Sequence, residues 1–405
     1  MTASDGADTG SPTAKVTGAP SVVGQQQAAM GKGGDSPSVK STKNVVSTGW
    51  GVMVPEGFSA MGVALLVVLG ALTSSLAMWV MQPLVTARDY RVHESSSEDF
   101  FWHVGPEGQR VRREAFPSPS DAPNKLLSVI VPAHNEEDRL PGMLKTTLAY
   151  LDEAHSFTFE VIVVSDGSTD DTSAEVERWC RDLGSDVVRL LELSENQGKG
   201  AAVREGMLRM RGEYGLMVDA DAATEISDLA RLMDRMRDVE AVVECPRGSA
   251  KHGMVVGSRA HMEGETIAKR AWHRTLLMFA FHWCVSALCT RQIKDTQCAG
   301  FKLFTRDTAL AVFGSLHLHR WAFDTELVYI CQLLGIPMAE VPVNWREVSG
   351  SKLIQSKLDV ITTSASMLRD MFCVRVCYLL GFWKVAPEAN QLVPGGSKAT
   401  PDRIR

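Results

Sequence analysis

Between residues 127 and 221, short and continuously apolar runs alternate with longer segments whose apolar residues recur at helical spacing. The apolar runs are 127–132, 159–165, 187–193 and 214–221, and the segments that predict helices are 139–151, 170–184 and 199–212. Strands that are apolar on both faces and alternate with helices predict a mostly parallel sheet with helices on both faces. Such sheets bind ligands at the carboxyl ends of their strands. We therefore expect an α/β fold with its site at that edge.

Acidic residues follow three of the four predicted strands. Glu136 comes just after the first, Asp166 follows the second, and Asp219 and Asp221 end the fourth. Because the carboxyl ends of parallel strands meet at one edge, these carboxylates could line a single polar cleft. Alternate residues of an extended segment point the same way, so Asp219 and Asp221 could face one cation. Mg²⁺ or Mn²⁺ takes such oxygen ligands beside phosphates.

Two further features lie where predicted helices begin. Lys199 stands in Glu195–Gly200, just before a helix, so its ammonium and the backbone N–H groups could bind an anion. The segment lacks the full P-loop spacing and is weak evidence alone. Asp170 and Asp171 open a helix and are interpreted as caps, because aspartate is a preferred N-cap residue.

Near the N-terminus, residues Gly57–Ala87 contain no charged side chain, and Met61–Met81 is almost entirely apolar. About 20 apolar residues are needed to cross roughly 30 Å of hydrocarbon, and this run supplies them. A buried core helix is the alternative, but soluble helices keep a polar stripe and this run has only Thr73, Ser74 and Ser75. We therefore predict a single transmembrane anchor over 57–87.

The flanks of this run predict its orientation. Lys40 and Lys43 are the nearest basic residues on the N-terminal side, whereas several arginines, beginning with Arg88 and Arg91, follow it. This bias places the C-terminal portion in the cytosol. Residues 1–56 are rich in small and polar residues and predict a disordered tail. A transit peptide is disfavoured, because residues 1–50 contain no arginine.

Composition excludes some classes of function. The 405 residues carry a formal net charge of −6, which argues against a dedicated nucleic-acid binder. The eight cysteines include no C-x-x-C pair, so we expect reduced thiols and no zinc or redox site of that type.

Four segments of the α/β region resemble glycosyltransferase family 2, which has the Rossmann-like GT-A fold. They are SVIVPAHNEE (128–137), VVSDGSTDDT (163–172), ENQGKGAAVREGM (195–207) and MVDADAAT (217–224). Four later segments, at 257–270, 294–306, 320–330 and 341–353, are similar to the dolichyl-phosphate β-glucosyltransferases in particular. The resemblance covers about residues 126–385 and follows an N-terminal anchor, as in that family.

The composition of the chain and the resemblance together predict how it divides. A polar linker is expected over 88–124 and the catalytic domain over 125–350. An interfacial helical segment is expected over 351–386 and a disordered tail over 387–405. Within this arrangement, Thr275–Thr290 and Met371–Val385 are uncharged or aromatic-rich enough to lie at a membrane interface, although plain core packing predicts the same pattern.

The resemblance also implies an activity: transfer of glucose from UDP-glucose to dolichyl phosphate with inversion, at the endoplasmic reticulum membrane, for N-glycan precursor assembly. The residues that would bind the nucleotide sugar are Pro132, Glu136, Asp166, Lys199 and Asp219. Asp219 and Asp221 would hold Mg²⁺ or Mn²⁺, which neutralises charge on the departing UDP.

On the acceptor side, the expected ligands of the lipid phosphate are Arg259, Arg274, Arg346 and Lys352. Arginine and lysine form charge-assisted hydrogen bonds with phosphate oxygens. The resemblance makes Asp324 the acceptor-activating carboxylate and Asp221 its catalytic companion. The alternative for Asp324 is the N-cap of the helix that follows.

Three departures from the family pattern and two rival functions remain. Gln197 replaces a usual arginine, Ala222 replaces a usual glycine, and Ala299 is an insertion before Gly300. One rival is a dolichyl-phosphate mannosyltransferase that uses GDP-mannose. The other is a membrane-tethered, non-catalytic binder of nucleotide sugars, against which the Asp219 and Asp221 pair argues.

Overall fold

The computed structural model describes residues 60–86, 99–119, 121–153, 157–245, 248–259, 293, 300–346, 348 and 357–392. Two compact units are distinguished, Met1–Leu66 and Val67–Arg405, and everything below from Val67 onward belongs to the second. Several predictions fall outside the described residues, namely those for the tail over 1–56, Arg274, Thr275–Thr290, Ala299 and Lys352.

Helices and strands are numbered here in chain order among the described residues. The strands are β1 Phe100–Val104, β2 Arg110–Ala115, β3 Lys125–Ala133, β4 Phe159–Asp166, β5 Val188–Leu193, β6 Gly212–Met217, β7 Ala241–Cys245, β8 Gly248–His252, β9 Met254–Ser258, β10 Lys302–Thr305 and β11 Met338–Pro342. The helices are α1 Ala60–Thr86, α2 Leu140–Glu153, α3 Thr172–Leu183, α4 Lys199–Met207, α5 Leu229–Val239, α6 Arg306–Phe313, α7 Phe323–Leu334, α8 Lys357–Leu379 and α9 Pro387–Leu392.

A seven-stranded sheet has the order β11-β9-β10-β6-β3-β4-β5. All of its pairings are parallel except those of β10, which runs antiparallel to both β6 and β9. The mostly parallel α/β fold predicted from the alternating apolar runs is therefore confirmed. The chain leaves β3 toward β4 and β5 and then returns to β6 on the other side of β3. This reversal beside β3 creates the crevice in which open α/β sheets bind ligands.

Helix α4 packs directly on the middle of the sheet, against β3 and β4. The close approach requires a small residue, because a Cβ on Gly206 would lie 2.4 Å from Cγ2 of Ile130. Ile130 and Val164 are fully buried beneath it. Right-handed crossovers place α2 and α3 on the opposite face, so both faces of the parallel strands are covered.

The segment expected to be a polar linker contains regular structure. Strands β1 and β2 form an antiparallel hairpin, and the rings of Phe101 and Phe116 are buried against the guanidinium of Arg189, each 5.2 Å away. Aromatic side chains over a buried cation explain why this charged stretch folds onto the sheet. The expected C-terminal tail over 387–405 likewise begins with the short helix α9.

Helix α1 is the helix, among the described residues, that is long and apolar enough to cross a membrane. Its apolar side chains are exposed, with Leu72 at 61% and Leu76 at 60%. Near its C-terminal end it meets the rest of the second unit, where Pro83 is buried and Leu84 packs against the core.

Candidate active site

A cavity of about 510 Å³ lies at the carboxyl ends of β3, β4 and β6. Six of the residues predicted from the sequence line it together, namely Pro132, Glu136, Asp166, Lys199, Asp219 and Asp221. Strand ends that are far apart in sequence therefore converge on one polar space, as the parallel pairing requires.

Lys199 and Asp219 form an ion pair inside the cavity. The ammonium of Lys199, in the first turn of α4, lies 2.5 Å from Oδ1 of Asp219. Burial alone would lower the pKa of Lys199, but Asp219 and the nearby Asp324 raise it above its usual value. Burial would likewise raise the pKa of Asp219, and Lys199 instead holds it below the ordinary aspartate value. Both side chains are therefore charged at neutral pH.

The other carboxylate oxygen of Asp219 accepts a hydrogen bond from the backbone of Gly300. The N–H lies 3.1 Å from Oδ2 of Asp219, and a Cβ on Gly300 would come within 2.1 Å of Oδ1. No residue larger than glycine fits at this position without displacing the carboxylate. Asp219 is thus held from two sides.

Asp221 is less constrained and lies in a turn. Strand β6 ends at Met217, so Asp219 and Asp221 are not on an extended strand as the alternation argument predicted. Oδ1 of Asp221 accepts the N–H of Ala223 at 3.0 Å, and the turn forces Ala222 to a φ of 55°. Only glycine adopts that left-handed conformation without strain, which accounts for the glycine usual there in the resembling family.

Asp166 is buried and organises the loop that follows β5. Its two carboxylate oxygens accept the N–H groups of Gln197 at 2.7 Å and Gly198 at 2.9 Å. Burial raises the pKa of Asp166, and these two hydrogen bonds oppose that rise. His134 contacts its backbone, with Nδ1 2.7 Å from the carbonyl oxygen of Asp166. This aspartate therefore fixes the loop that presents Lys199.

Glu136 is paired with Arg139, a residue that the sequence prediction missed. Nε of Arg139 donates to Oε2 of Glu136 at 2.6 Å, and its Nη1 lies 3.9 Å from Oδ2 of Asp221. Burial would lower the pKa of Arg139, but Glu136 and Asp221 raise it above the ordinary arginine value. The (i, i+3) spacing from Glu136 was the available signal for this pair.

Asp324 is not a helix cap. Helix α7 begins at Phe323, its N-cap is Ala322, and no side chain caps it. The cap alternative is therefore wrong, and Asp324 instead lies 2.9 Å from the ammonium of the fully buried Lys302.

The caps of α3 follow the prediction at one position only. Oδ1 of Asp170 accepts the N–H of Thr172 at 3.0 Å, whereas Asp171, at the N-cap position, makes no side-chain cap.

Two of the predicted acceptor ligands are described. The guanidinium of Arg259 lies 4.9 Å from the ring centre of Trp345. Arg346 is exposed, and its backbone N–H donates to Ala223 at 2.9 Å, just beyond Asp221. Both arginines thus lie on the side of the cavity that carries Asp221. Arg274 and Lys352 lie outside the described residues.

Other lining residues had no distinctive signal in the sequence. Arg320 and Trp321 precede α7, and Thr362 and Thr363 belong to α8. The ring of Trp321 lies 5.6 Å from Nζ of Lys199, so the loop before α7 reaches the same charged centre. Tertiary contact alone brings these residues to the strand ends.

Charges of both signs lie in and beside the cavity, and their balance bears on the expected metal. Among the described residues, the carboxylates of Glu136, Asp166, Asp219 and Asp221 and the cations of Arg139, Lys199 and Arg320 line the cavity. The buried pair of Asp324 and Lys302 is not part of this lining, but its charges act on Lys199 and Asp219. Such a set does not by itself offset the charge of a diphosphate. Asp219 and Asp221 supply hard oxygen ligands at about 29% and 28% side-chain exposure, so they fit a divalent cation shared with phosphates.

Comparison with known proteins identifies the family. A sequence model described as glycosyl transferase family 2 matches residues 128–292. The chain is 43% identical over 327 residues to dolichyl-phosphate beta-glucosyltransferase from Homo sapiens, covering 79% of this chain and 96% of that protein. The chain belongs to the dolichyl-phosphate beta-glucosyltransferase family.

A second member of this family, from Mus musculus, is 46% identical over 297 residues. This aligned region is 72% of this chain and 86% of the mouse protein. Among solved structures, the glucosyl-3-phosphoglycerate synthase from Mycobacterium tuberculosis is a distant likeness. It has a TM-score of 0.40 and 17% identity, over 62% of this chain and 80% of its own. The two relatives confirm the family predicted from the sequence motifs.

Proposed function

We propose that this protein transfers glucose from UDP-glucose to dolichyl phosphate, giving dolichyl β-glucosyl phosphate with inversion at the anomeric carbon. The observation that carries the proposal is the single cavity in which six predicted nucleotide-sugar and metal residues meet. Relatives named dolichyl-phosphate beta-glucosyltransferase, 43% and 46% identical over most of the chain, support the transfer of glucose to dolichyl phosphate.

The donor would bind along the strand ends. Pro132, Glu136 and Asp166 line the part of the cavity proposed for uridine, with the loop after β5 held by Asp166. Asp219 and Asp221 would hold Mg²⁺ or Mn²⁺, which when bound neutralises charge on the departing diphosphate. Lys199, already charged and oriented by Asp219, adds a fixed positive charge beside that group.

The acceptor would enter from the side of Arg259 and Arg346, with Arg274 and Lys352 as the further proposed ligands of its phosphate. A phosphate oxygen of the acceptor attacks the anomeric carbon as the bond from that carbon to UDP breaks. Because the attack comes from the face opposite the leaving group, the configuration inverts. The products are UDP and the glucosyl phosphodiester.

Asp324 is proposed to assist the acceptor, and its contribution depends on pH. A phosphate monoester has a second pKa near 6, so the acceptor is mostly ionised at neutral pH. We expect the loss of transfer in Asp324→Asn to shrink as pH rises through about 6 to 8, since the acceptor then needs no base. The measurement is the pH–rate profile of this variant beside wild type. A profile parallel to wild type would contradict the base role and leave the contact with Lys302 as the function of Asp324.

The place of the reaction follows from the same proposal. Helix α1 would anchor the protein in the endoplasmic reticulum membrane, and the arginines after it favour a cytosolic catalytic domain. A lipid-linked glucose made there would supply N-glycan precursor assembly.

The test is a donor panel. Membranes that contain the protein are incubated with polyprenyl phosphate and with UDP-glucose, UDP-galactose or GDP-mannose, with and without chelator. We expect metal-dependent transfer from UDP-glucose. A preference for GDP-mannose would assign the protein to the mannosyltransferases, and binding of UDP-glucose without turnover would make it a non-catalytic binder.

A further inference from the structure

Helix α8 has an outward face that is apolar and exposed. Leu368, Phe372 and Leu379 are 43%, 48% and 54% exposed, and their spacing places them on one side of the helix. Leu380 and Phe382 continue this surface and are each 61% exposed. These five residues are called the α8 stripe below. Residues on the opposite side of the helix are buried against the core, so the stripe is not the packing face.

Basic side chains accompany the α8 stripe. Arg375 lies on the same side of the helix, with its guanidinium 6.0 Å from the ring centre of Tyr329, and Lys384 follows the stripe closely in sequence. Apolar residues flanked by basic ones are typical of helices that lie in a membrane interface, where the basic groups reach the lipid phosphates.

The stripe adjoins the C-terminal end of α1. Arg369, one position after Leu368, donates from Nη1 to Oε1 of Gln82 at 2.8 Å. Its guanidinium also lies 4.9 Å from the ring centre of Trp79. Cys373, one turn further along α8, has its sulfur 3.4 Å from the carbonyl oxygen of Val80. The candidate membrane span and the exposed apolar face are thus neighbours.

Pro83 makes this junction specific. Proline has no N–H, so the carbonyl of Trp79, four residues earlier, loses the hydrogen bond that a helix would otherwise give it. Nη1 of Arg369 lies 3.3 Å from that carbonyl oxygen and donates to it. The arginine therefore satisfies a group that the proline leaves unpaired in the helix.

The same helix reaches the cavity. Thr362 and Thr363, two turns before Arg369, line it. Helix α8 thus borders the cavity at one end and carries the exposed apolar stripe at the other. A surface that covers the stripe would therefore also fix the position of the cavity.

We infer that the α8 stripe docks on the lipid bilayer beside α1. Arg369 holds α1 and α8 in a fixed relative position, so that the cavity opens at the bilayer surface. The occupant is a bilayer because the stripe lies beside α1, a helix long and apolar enough to enter one. This inference rests on the proposed function, since an acceptor embedded in a bilayer presents its phosphate at that surface. Arg369 is a positioning residue that touches neither substrate.

The experiment compares two acceptors with the full-length protein in phosphatidylcholine vesicles. One acceptor is dolichyl phosphate in the same vesicles, and the other is a short, water-soluble isoprenyl phosphate. For the double variant Phe372→Glu and Phe382→Glu we expect about tenfold or greater loss with the embedded acceptor, because charges are costly in the interface. Transfer to the soluble acceptor should stay within about twofold of wild type, since the stripe does not line the cavity. The control is Leu183→Glu, which replaces a large apolar residue on α3 that is 43% exposed.

Arg369 is tested in the same assay. Arg369→Gln should show the same selective loss, and adding Pro83→Ala should restore part of it, because the alanine N–H can bond the Trp79 carbonyl. Equal loss with both acceptors, or no loss with the embedded one, would overturn the positioning role.

Docking is also measured without turnover. Phe372→Trp should gain emission that brominated lipids quench, whereas the added tryptophan of Leu183→Trp should not be quenched. Unquenched emission from Phe372→Trp would overturn the docking surface even if transfer were normal. Quenching without transfer to either acceptor would instead retain the docking surface and reject the proposed function.

Discussion

Asp219 and Asp221 are two positions apart, but they differ in what surrounds them. Asp219 is held by Lys199 and by the backbone of Gly300, whereas Asp221 has one local hydrogen bond and a more distant arginine. Asp221→Ala should therefore reduce transfer on the order of 100-fold or more with little change in stability, by analogy with the loss of one charge-stabilising group. Transfer of labelled glucose and thermal unfolding of the same preparation measure the two effects.

Asp219→Ala should reduce both transfer and stability. It leaves the ammonium of Lys199 inside the cavity without its nearest carboxylate, and breaking such a pair costs roughly 1–3 kcal/mol once partial exposure is allowed for. If Asp219→Ala and Asp221→Ala had equal free energies of unfolding, the Lys199 ion pair would have no structural role. Full activity of Asp221→Ala in chelator would exclude the metal assignment.

Gly300 offers a test that changes no charge. In Gly300→Ala the new methyl group would lie 2.1 Å from Oδ1 of Asp219, so the carboxylate must move. We expect transfer to fall at least about tenfold, because a misplacement of about 1 Å can cost more than that. The apparent KM for the divalent cation should rise at the same time. Ala222→Gly is the matched control, since it changes the neighbouring turn by the same methyl group and removes a strained φ. Normal metal dependence in Gly300→Ala would contradict this account.

At the scale of elements, the end of the sheet away from the cavity contains a buried charge network. Glu160, at the start of β4, accepts hydrogen bonds from Ser128 at 2.5 Å and Arg211 at 2.8 Å and is also paired with Arg189. Burial alone would raise the pKa of Glu160, but Arg189 and Arg211 hold it below the ordinary glutamate value. The network thus joins β3, β4 and β5 through one carboxylate.

Glu160→Gln should destabilise the protein by about 3–5 kcal/mol, because the buried guanidinium of Arg189 loses its counter-charge and the half-buried one of Arg211 keeps only Asp186. Because the pKa of Glu160 is lowered in the folded protein, this stabilisation is complete at pH values above the pKa of glutamate in the unfolded chain, about 4.3. It is lost as the pH falls through the pKa of Glu160 in the folded protein. The difference in unfolding free energy between variant and wild type should therefore be largest near neutral pH and shrink in acid. Denaturant unfolding at several pH values measures it, with Ser128→Ala, expected to cost about 1 kcal/mol, as control. A difference independent of pH would contradict the role of the charge.

The sequence predicted the elements whose pattern is local. Strands β3 to β6 and helices α2 to α4 lie where the alternating runs placed them, because each strand is buried on both faces. Their acidic ends meet because parallel strands must end together. The hairpin of β1 and β2 was missed, since β2 is exposed along its whole length and carries no alternation.

Parts of the site depend on contacts that no local pattern encodes. Lys302 lies on the antiparallel strand β10, whose pairing with β6 brings it to Asp324. The apolar sequence around Lys302 gives no sign of a partner far along the chain. Thr362 and Thr363 reach the cavity only because α8 packs against α7. Helix docking of this kind follows from the whole core and not from one segment.

At the scale of the whole molecule, the N-terminal segments should separate anchoring from catalysis. Deleting residues 1–50 should leave transfer nearly unchanged, because that stretch has no apolar pattern with which to dock. Deleting residues 1–86 should release part of the protein from membranes and lower transfer to an embedded acceptor, while a soluble acceptor is still used. Fractionation and the assay with two acceptors measure these effects. Loss of transfer to the soluble acceptor after removing residues 1–50 alone would reveal a catalytic function in that segment.

Cys373, whose sulfur faces the Val80 carbonyl, is a thiol through which the junction between α1 and α8 can be probed. Burial raises the pKa of this thiol to about 11, so at neutral pH almost none of it is the reactive thiolate while the helices stay together. Cys373 is 6% exposed beside α1, so we expect an alkylating reagent to modify it faster when α1 separates from α8. The alkylation rate of Cys373 therefore reports how often α1 and α8 separate. Lipid composition, nucleotide or acceptor can be ranked by how far each lowers that rate.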